Sequence, residues 1–402
     1  MNLDLTLAII FYLLLILFFM RHKDKVQFQG KIIALYRTQF GIKLMEKIAK
    51  KFPRTLRFFG VTSIIVGFLG MGFIFYWLLK GTLDLLLKAG TPPAVAPILP
   101  GIKVIPGLPV LSFMHWIITI LIIAVIHEFS HGVYARLHNI KVQSSGFALF
   151  GPILAAFVEP DEKQVSKKSK KIQLSIFSAG PFSNILTGFI FLLFMSYVTV
   201  PAFGATHDEA GIIVNALIEG QPMESTGIGL PFIINGINNH DVDTFAEFTN
   251  ETNYLKPGDE ITLNTDKGNY SITAGLNPDN NSRGFIGVSN FEISRIPDKD
   301  FVEKYGSFLP PFVEWLHMLF FWLWVVSWGV GLFNLLPLGP IDGGRMLLSA
   351  LIGITKNEKK AKKYWSIVSL MCLLLIFINL APYLWKLVLW ILKPLIFIFT
   401  LF

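Results

Sequence analysis

Long apolar runs alternate with shorter polar segments along most of the chain. We mark seven runs, each near or above the length of about 20 residues that a helix needs to cross the hydrocarbon of a bilayer. They cover residues 3–20, 60–87, 112–137, 172–199, 311–336, 364–381 and 384–402. The pattern predicts a polytopic α-helical membrane protein with about six to seven spans. The first run lacks a preceding basic residue and a small-residue cleavage site, which is typical of an anchor and not of a signal peptide.

The segment from about residue 201 to 308 breaks this pattern because it is polar, acidic and divided by turn signals such as Asn235–Gly236 and Pro257–Gly258. Alternating apolar and polar positions predict strands, and one helical stretch is also expected. The predicted strands are 211–216, 231–237, 260–264 and 270–274, and the predicted helix is 244–253. We expect an inserted small β-rich domain. Its order of elements around "IINGINNHDVDTFAEF" and "LKPGDEITLNT" resembles a PDZ domain.

The charge distribution predicts an orientation. The chain has 35 basic and 27 acidic residues, a net charge of +8. Its basic segments 21–57, 163–171 and 356–363 lie between apolar runs, so they orient spans and do not indicate a nucleic-acid partner. The positive-inside rule places them in the cytosol and places the acidic segment 201–308 on the opposite side. Residues 31–57 have apolar positions at helical intervals, which predicts an amphipathic helix on the cytosolic face.

The third run contains "AVIHEFSHGVYARLH", an HExxH motif within an apolar helix. Histidines four residues apart share one helix face, so His127 and His131 can bind one zinc ion, and Glu128 beside them can act as a general base toward water. The single cysteine, Cys372, lies in another apolar run, so any metal must use histidine and carboxylate ligands. Inserting an ionisable side chain into a membrane span costs a few kcal/mol, about 3 for an acid. Residues placed there in spite of this cost are therefore candidates for a functional role. The alternative is a polar helix face that packs against neighbouring spans.

A catalytic zinc usually has three protein ligands. A candidate third ligand lies in "FNLLPLGPIDGGR", where Asn334 ends an apolar run, Pro337 and Pro340 interrupt helical hydrogen bonding, and Asp342 follows. Backbone broken at membrane depth is tolerated where it lines a cavity or is buried in protein. The alternative is an ordinary turn, with Asp342 as the N-cap of a helix over residues 343–351.

Together, HExxH and the later N-x-x-P-x-x-x-I-D-G resemble the site-2 protease family of intramembrane zinc metalloproteases. The resemblance implies one Zn²⁺ bound by His127, His131 and Asp342, with Glu128 as the catalytic residue. The family commonly has leucine before its Asp-Gly pair, whereas this chain has Ile341, a small change of side-chain shape.

Two asparagines are further candidates. "SAGPFSN" is similar to the family's G-P-x-x-N element and places Asn184 near the start of the fourth run. Asn184 and Asn334 are candidate contacts to the substrate backbone or to the oxyanion of the reaction. A transmembrane asparagine such as Asn184 can equally bond a neighbouring helix.

The predicted function is hydrolysis of a peptide bond in or near the transmembrane segments of membrane proteins, in regulated intramembrane proteolysis at the cell membrane. The site is expected near the cytosolic face and the PDZ-like domain outside the cytosol. An intact helix shields its peptide bonds, so "SSGFALFGPILAAFVEP" is predicted to form a re-entrant β-hairpin whose residues 145–158 pair with an unwound substrate. The alternatives are a proton- or metal-coupled transporter and an inactive PDZ-bearing scaffold.

The sequence thus divides into five expected regions with distinct roles. They are a first span with a basic cytosolic segment (1–58), a membrane core with HExxH and the hairpin (59–200), the extracytosolic domain (201–308), a core segment with the third ligand (309–353) and C-terminal membrane helices (354–402).

Overall fold

The structure is a computed structural model that describes residues 3–29, 33–102, 108–151 and 153–399. The chain divides into two compact units, one of Met1–Phe194 with Met318–Phe402 and the other of Met195–His317. The helices in chain order are α1 Leu3–Arg21, α2 Ile42–Lys51, α3 Pro53–Leu87, α4 Phe113–Leu137, α5 Glu162–Lys167, α6 Lys170–Phe194, α7 Val200–Thr206, α8 Phe245–Asn253, α9 Lys299–Tyr305, α10 Leu309–Asn334, α11 Asp342–Thr355 and α12 Glu358–Phe399.

Six helical segments among the described residues are long and apolar enough to cross a membrane. They are Asp4–Arg21, Pro53–Leu87, Phe113–Leu137, Lys170–Thr206, Leu309–Asn334 and Glu358–Leu389. The last two apolar runs, predicted as separate spans, form one helix, α12, up to residue 399. Pro382 between them removes one backbone hydrogen bond, but its neighbours are apolar and remain helical. The final residues of the seventh run, 400–402, lie outside the described residues.

The first unit contains an antiparallel sheet in the order β1-β2-β3-β4. Its strands are β1 Val26–Gln29, β2 Ile33–Thr38, β3 Val142–Phe150 and β4 Ile153–Pro160. Over the segment predicted as a re-entrant hairpin, β3 and β4 pair antiparallel, and its entry into the membrane stays a prediction. The amphipathic helix predicted over residues 31–57 is only partly correct. Its first part forms strand β2, which pairs with β3. Helix α2 lies within its second part, and the apolar residues of α2 pack on α4.

Close packing around α4 positions the motif-bearing helix. α4 contacts α6, α2 and β4, and its residues Tyr134 and Ala135 belong to a buried cluster with Ile176 of α6 and Met346 of α11. At its other end, the carboxylate of Asp4 accepts hydrogen bonds from the first backbone N–H of α4, at 2.7 and 2.9 Å. Because the first N–H groups of a helix lack partners within it, this carboxylate caps α4.

The second unit is β-rich. Its strands are β5 His207–Leu217, β6 Phe232–Ile237, β7 His240–Asp241, β8 Glu260–Thr265, β9 Gly268–Thr273, β10 Gly275–Asn277, β11 Asn280–Phe285 and β12 Val288–Pro297. The main sheet has the order β12-β5-β6-β8-β9, with β7 paired to β6. The four predicted strands and the predicted helix all occur, as β5, β6, β8, β9 and α8. Alternate residues of the strands, such as Ile212, Phe232, Ile234 and Leu263, fill one core.

Candidate metal centre and its cavity

Three side chains from two distant parts of the chain meet in the first unit. The Oδ2 atom of Asp342 lies 2.9 Å from Nε2 of His127 and 3.2 Å from Nε2 of His131. The two Nε2 atoms are 3.2 Å apart. All three residues are buried, at 7%, 9% and 8% exposure for His127, His131 and Asp342. The i and i+4 positions of α4 and the first residue of α11 therefore supply two imidazoles and one carboxylate at a single point.

This donor set fits zinc. Tetrahedral coordination with bonds of about 2.0–2.2 Å places ligand atoms roughly 3.3 Å apart, close to the separations of 2.9–3.2 Å between the three atoms. Two neutral imidazoles and one carboxylate are also a common set in catalytic zinc sites. The group could therefore hold one metal ion.

Helix α6 passes so close to the ligands that only glycine fits. A Cβ atom added to Gly180 would lie 2.4 Å from Nε2 of His131 and 2.6 Å from Nε2 of His127. The "SAGPFSN" element therefore gives the imidazoles the space in which their Nε2 atoms converge.

The same helix holds the other nitrogen of each imidazole. Nδ1 of His131 is 2.7 Å from the backbone oxygen of Ile176, so it carries a hydrogen that it donates. Nδ1 of His127 is 3.1 Å from the carboxamide of Asn184. The contact to Ile176 sets the tautomer of His131 and leaves its Nε2 free for a metal.

Asn184 is fully buried, and its Oδ1 has no hydrogen-bond partner among the described residues when Nδ2 faces His127. A His127 that binds metal through Nε2 carries its hydrogen on Nδ1, which needs an acceptor. Rotating the carboxamide by 180° supplies it, because Oδ1 then accepts from Nδ1. Because Asn184 lies behind His127, its position favours a role in orienting this ligand over the predicted contact to substrate or oxyanion. The alternative prediction was a hydrogen bond to a neighbouring helix, and His127 of α4 is such a partner.

The third ligand lies on a tightly folded segment. Helix α11 begins at Asp342 with Ile341 as its N-cap, so Asp342 is not the predicted N-cap and its carboxylate faces the histidines. A Cβ atom on Gly343 would lie 2.2 Å from the backbone oxygen of Leu335, and one on Gly344 would lie 2.2 Å from that of Leu338. The two glycines therefore allow α11 to start directly against the preceding turn.

Helix α12 braces this segment by hydrogen bonds that the sequence did not indicate. The hydroxyl of Ser369 accepts from the N–H of Gly339 at 3.2 Å and donates to the oxygen of Pro337 at 3.1 Å. The indole N–H of Trp365 donates to the oxygen of Gly344 at 2.9 Å. Side chains of α12 thereby pair backbone groups on both sides of Asp342.

Glu128 lies between the metal ligands and the sheet. Its Oε2 accepts a hydrogen bond of 3.0 Å from the backbone N–H of Val158 in β4. It lines a cavity of about 240 Å³ together with the three ligand residues. The other lining residues are Val158, Pro160, Glu162, Val165, Ile176, Phe177, Asn334, Pro340, Ile341 and Arg345. Asn334 is thus placed at the cavity, and its Nδ2 donates to the oxygen of Val330 at 3.0 Å.

An ion pair fixes the end of β4. The guanidinium of Arg37 in β2 donates to both carboxylate oxygens of Glu159, at 3.0 and 2.6 Å, and the hydroxyl of Ser144 also donates to Glu159. Hydrogen bonding from Arg37 lowers the pKa of Glu159 below its ordinary value. This ion pair therefore links the edge strand β4, next to Glu128, to β2 across the intervening strand β3.

Known proteins resemble this chain in sequence. The family model of Peptidase family M50 matches residues 115–377. An uncharacterized protein of Methanocaldococcus jannaschii is 28% identical over 356 residues, which cover 85% of each chain. The zinc metalloprotease RasP of Shouchella clausii is 24% identical over 251 residues, 52% of this chain and 58% of that protein.

Among solved structures, the PDZ domain of an SdrC-like protein from Listeria monocytogenes matches 23% of this chain and 92% of its own, with 16% identity and a TM-score of 0.18. The M50 model covers well over half of the chain and includes HExxH, the "SAGPFSN" element and Asp342. The chain belongs to peptidase family M50, the site-2 protease family of zinc metalloproteases.

Proposed function

We propose that this chain is an intramembrane zinc endopeptidase that cleaves a peptide bond in or near the transmembrane segments of membrane proteins. The observation that supports this most is the position of Glu128, which lies beside three convergent metal ligands on one side and a sheet edge on the other. A base, a metal site and a surface that can bind an extended chain are the parts that peptide hydrolysis requires.

His127, His131 and Asp342 hold the zinc ion, which when bound polarises a carbonyl and lowers the pKa of water. Glu128 takes a proton from the water that attacks the substrate carbonyl carbon. After the C–N bond breaks, Glu128 returns this proton to the leaving amine. Asn184 keeps His127 in the tautomer that leaves Nε2 free, and Asn334 contacts the substrate or its oxyanion from the cavity wall.

The substrate adds as a strand to β4. Strand β3 is paired on both sides, by β2 and β4, so among the described residues of the predicted region 145–158 only those of β4 have an edge without a neighbouring strand. The N–H of Val158 points outward to Glu128, and successive residues alternate in direction, so Ala156 and Leu154 also direct their backbone groups outward. A chain paired to this edge runs toward Glu128.

Replacing Ala156 with proline tests this binding mode. Proline removes an outward N–H without removing a bond to β3, and a matched Ala156→Val variant keeps the N–H while adding side-chain bulk. We expect Ala156→Pro to retain its zinc and lose at least about tenfold in cleavage, the value of one hydrogen bond of roughly 1.4 kcal/mol, while Ala156→Val stays active. Equal activity of the two variants would rule out strand addition at this position.

The membrane orientation follows from the charges. With the basic segments 21–57, 163–171 and 356–363 in the cytosol, the motif end of α4 would lie near the cytosol and the acidic segment 201–308 outside it. The hairpin then enters the membrane from the cytosolic side.

We propose that the β-rich unit is PDZ-like and selects substrates already shortened by a first cleavage, as in regulated intramembrane proteolysis.

Cleavage of a purified transmembrane peptide tests the function itself. A protease loses cleavage on treatment with a zinc chelator, regains it with zinc, and loses it in Glu128→Gln while keeping the metal. A transporter would instead lose proton or metal flux in proteoliposomes in that variant, and an inactive scaffold would cleave nothing under any condition.

A further inference from the structure

A second cavity, of about 320 Å³, lies at the C-terminal end of α4. Helices α2, α3, α4 and α5 and the segment that leads into β3 form its walls. Its lining residues are Glu46, Ala49, Lys50, Pro53, Arg57, Arg136, Leu137, Asn139, Lys141 and Gln164.

The cavity is strongly basic. Four cations, Lys50, Arg57, Arg136 and Lys141, face a single acid, Glu46. Glu46 pairs with Lys50 at 2.7 Å and with Arg136 at 2.5 Å, and these contacts hold its pKa below the ordinary value. Arg57 and Lys141 form no ion pair within the described residues, so the cavity carries a net positive charge that no acidic side chain neutralises.

The outer surface of α2 extends this charge beside apolar groups. Lys43, Lys47, Lys50 and Lys51 fall within one helical arc of about 100°, and Leu44 comes next around the helix with 51% of its surface exposed. Phe40 and Phe52, which flank α2, are 87% and 47% exposed. A lysine arc bordered by exposed apolar side chains is typical of a helix at a membrane interface, with cations at the headgroups and apolar groups at the acyl chains.

We propose that this cavity and the lysine arc of α2 bind the headgroup phosphate of an anionic phospholipid. The cations of the cavity match a phosphate, and the exposed Phe52, next to the lining residue Pro53, matches an acyl chain attached to it. A free anion would use the cations but would leave this apolar side chain in water. The combination therefore favours a lipid over a soluble phosphate compound.

The site is coupled to the zinc helix. A Cβ atom on Gly132, next to His131, would lie 2.4 Å from Sδ of Met45 in α2, so the two helices are in close contact there. Arg136 of α4 and Glu46 of α2 line the cavity and bond each other. A bound headgroup therefore stabilises the packing of α2 against the helix that carries HExxH.

Binding is measured on the purified full chain in a zwitterionic detergent. Dioctanoyl phosphatidylglycerol is titrated and followed by native mass spectrometry and by the shift in melting temperature, with dioctanoyl phosphatidylcholine and inorganic phosphate as parallel probes. We expect saturable binding of phosphatidylglycerol, with a rise in melting temperature that neither other probe produces.

The double variant Arg57→Gln/Lys141→Gln removes the two unpaired cations. Each basic side chain near an anionic lipid headgroup raises the affinity about fivefold. Loss of both should therefore weaken the binding of phosphatidylglycerol roughly 30-fold. The matched control Lys359→Gln/Lys360→Gln removes the same charge from the exposed start of α12 and should bind as the unaltered chain does. Equal binding of phosphatidylcholine, equal loss in both double variants, or a full shift with phosphate alone would each overturn the proposal.

Discussion

Replacing Gly180 with alanine would add one methyl group where the two imidazoles converge. The new Cβ atom would lie 2.4 Å from Nε2 of His131 and 2.6 Å from Nε2 of His127, the two atoms that face the metal. Gly180 is inside α6, where alanine is otherwise the better helix former by about 1 kcal/mol. The substitution therefore acts on the metal site and does not weaken the helix.

The size of the effect follows from these distances. Real Cβ contacts essentially never fall below 3.0 Å, so the ring of His131 must retreat by 0.6 Å, or α6 must move by a similar amount. Zinc sites tolerate deviations of only about 0.2 Å in ligand distance. We expect zinc affinity to fall by at least about 100-fold, the upper end of what disturbing the surroundings of a ligand costs, and cleavage to fall at least as far.

The assay is zinc content after dialysis against a series of buffered zinc concentrations, measured together with cleavage of a transmembrane peptide. Gly72→Ala in α3 is the matched control, because it is also a glycine inside a long helix and its added Cβ meets no atom within 4 Å. The control should bind zinc as the unaltered chain does. If Gly180→Ala binds zinc within about twofold of this control, the inferred packing of α6 on the ligands is incorrect.

Three further outcomes are expected. Asn184→Ala leaves Nδ1 of a ligand histidine without a partner, so zinc affinity should fall about 10- to 100-fold, and unchanged chelator-induced zinc release would contradict the orienting role. Ser369→Ala should speed that release, since it removes two hydrogen bonds to the turn before the third ligand, whereas Ser366→Ala on the exposed side of α12 should not. Because the pKa of Glu159 is lowered in the folded state, its pair with Arg37 stabilises the fold above the ordinary glutamate pKa and stops doing so as the pH falls through the folded value. Arg37→Gln should therefore lower the melting temperature near neutral pH, and this deficit should shrink progressively as the pH falls below the ordinary glutamate value. A deficit that stays the same size throughout an acid titration would show that the ion pair is not its cause.

Local patterns were sufficient for much of the fold. The strands of the β-rich unit follow an alternation that one-sided burial imposes, and Thr244 with Glu247 forms the capping box that begins α8. β2 was missed because its short run, "IALYRT", has no strong alternation, and its pairing with β3 joins segments more than 100 residues apart. A partner at that distance leaves no local signal.

In the candidate site, too, some residues are predicted by a local pattern and others depend on contacts between distant parts of the chain. HExxH specifies its own geometry because a helix places residues i and i+4 on one face. Asp342 has a weaker local cue, the backbone interrupted by Pro337 and Pro340, which is equally consistent with an ordinary turn. Its combination with a distant motif is what made it the third ligand candidate. Gly180 was noticed as part of a short element, but its role depends on how closely α6 approaches α4. The bonds from Ser369 likewise depend on tertiary packing, for which a serine in an apolar helix gives no specific sign.

The central claim is that two distant parts of the chain complete one zinc site, and the zinc content of Asp342→Ala tests it most directly. It should be compared with that of Glu128→Gln, which changes a neighbouring carboxylate that binds no metal. We expect about one zinc per chain in Glu128→Gln, as for a site with three intact ligands, and loss of zinc from Asp342→Ala under the same dialysis. Full retention of zinc by Asp342→Ala, with an affinity equal to that of Glu128→Gln, would contradict the account.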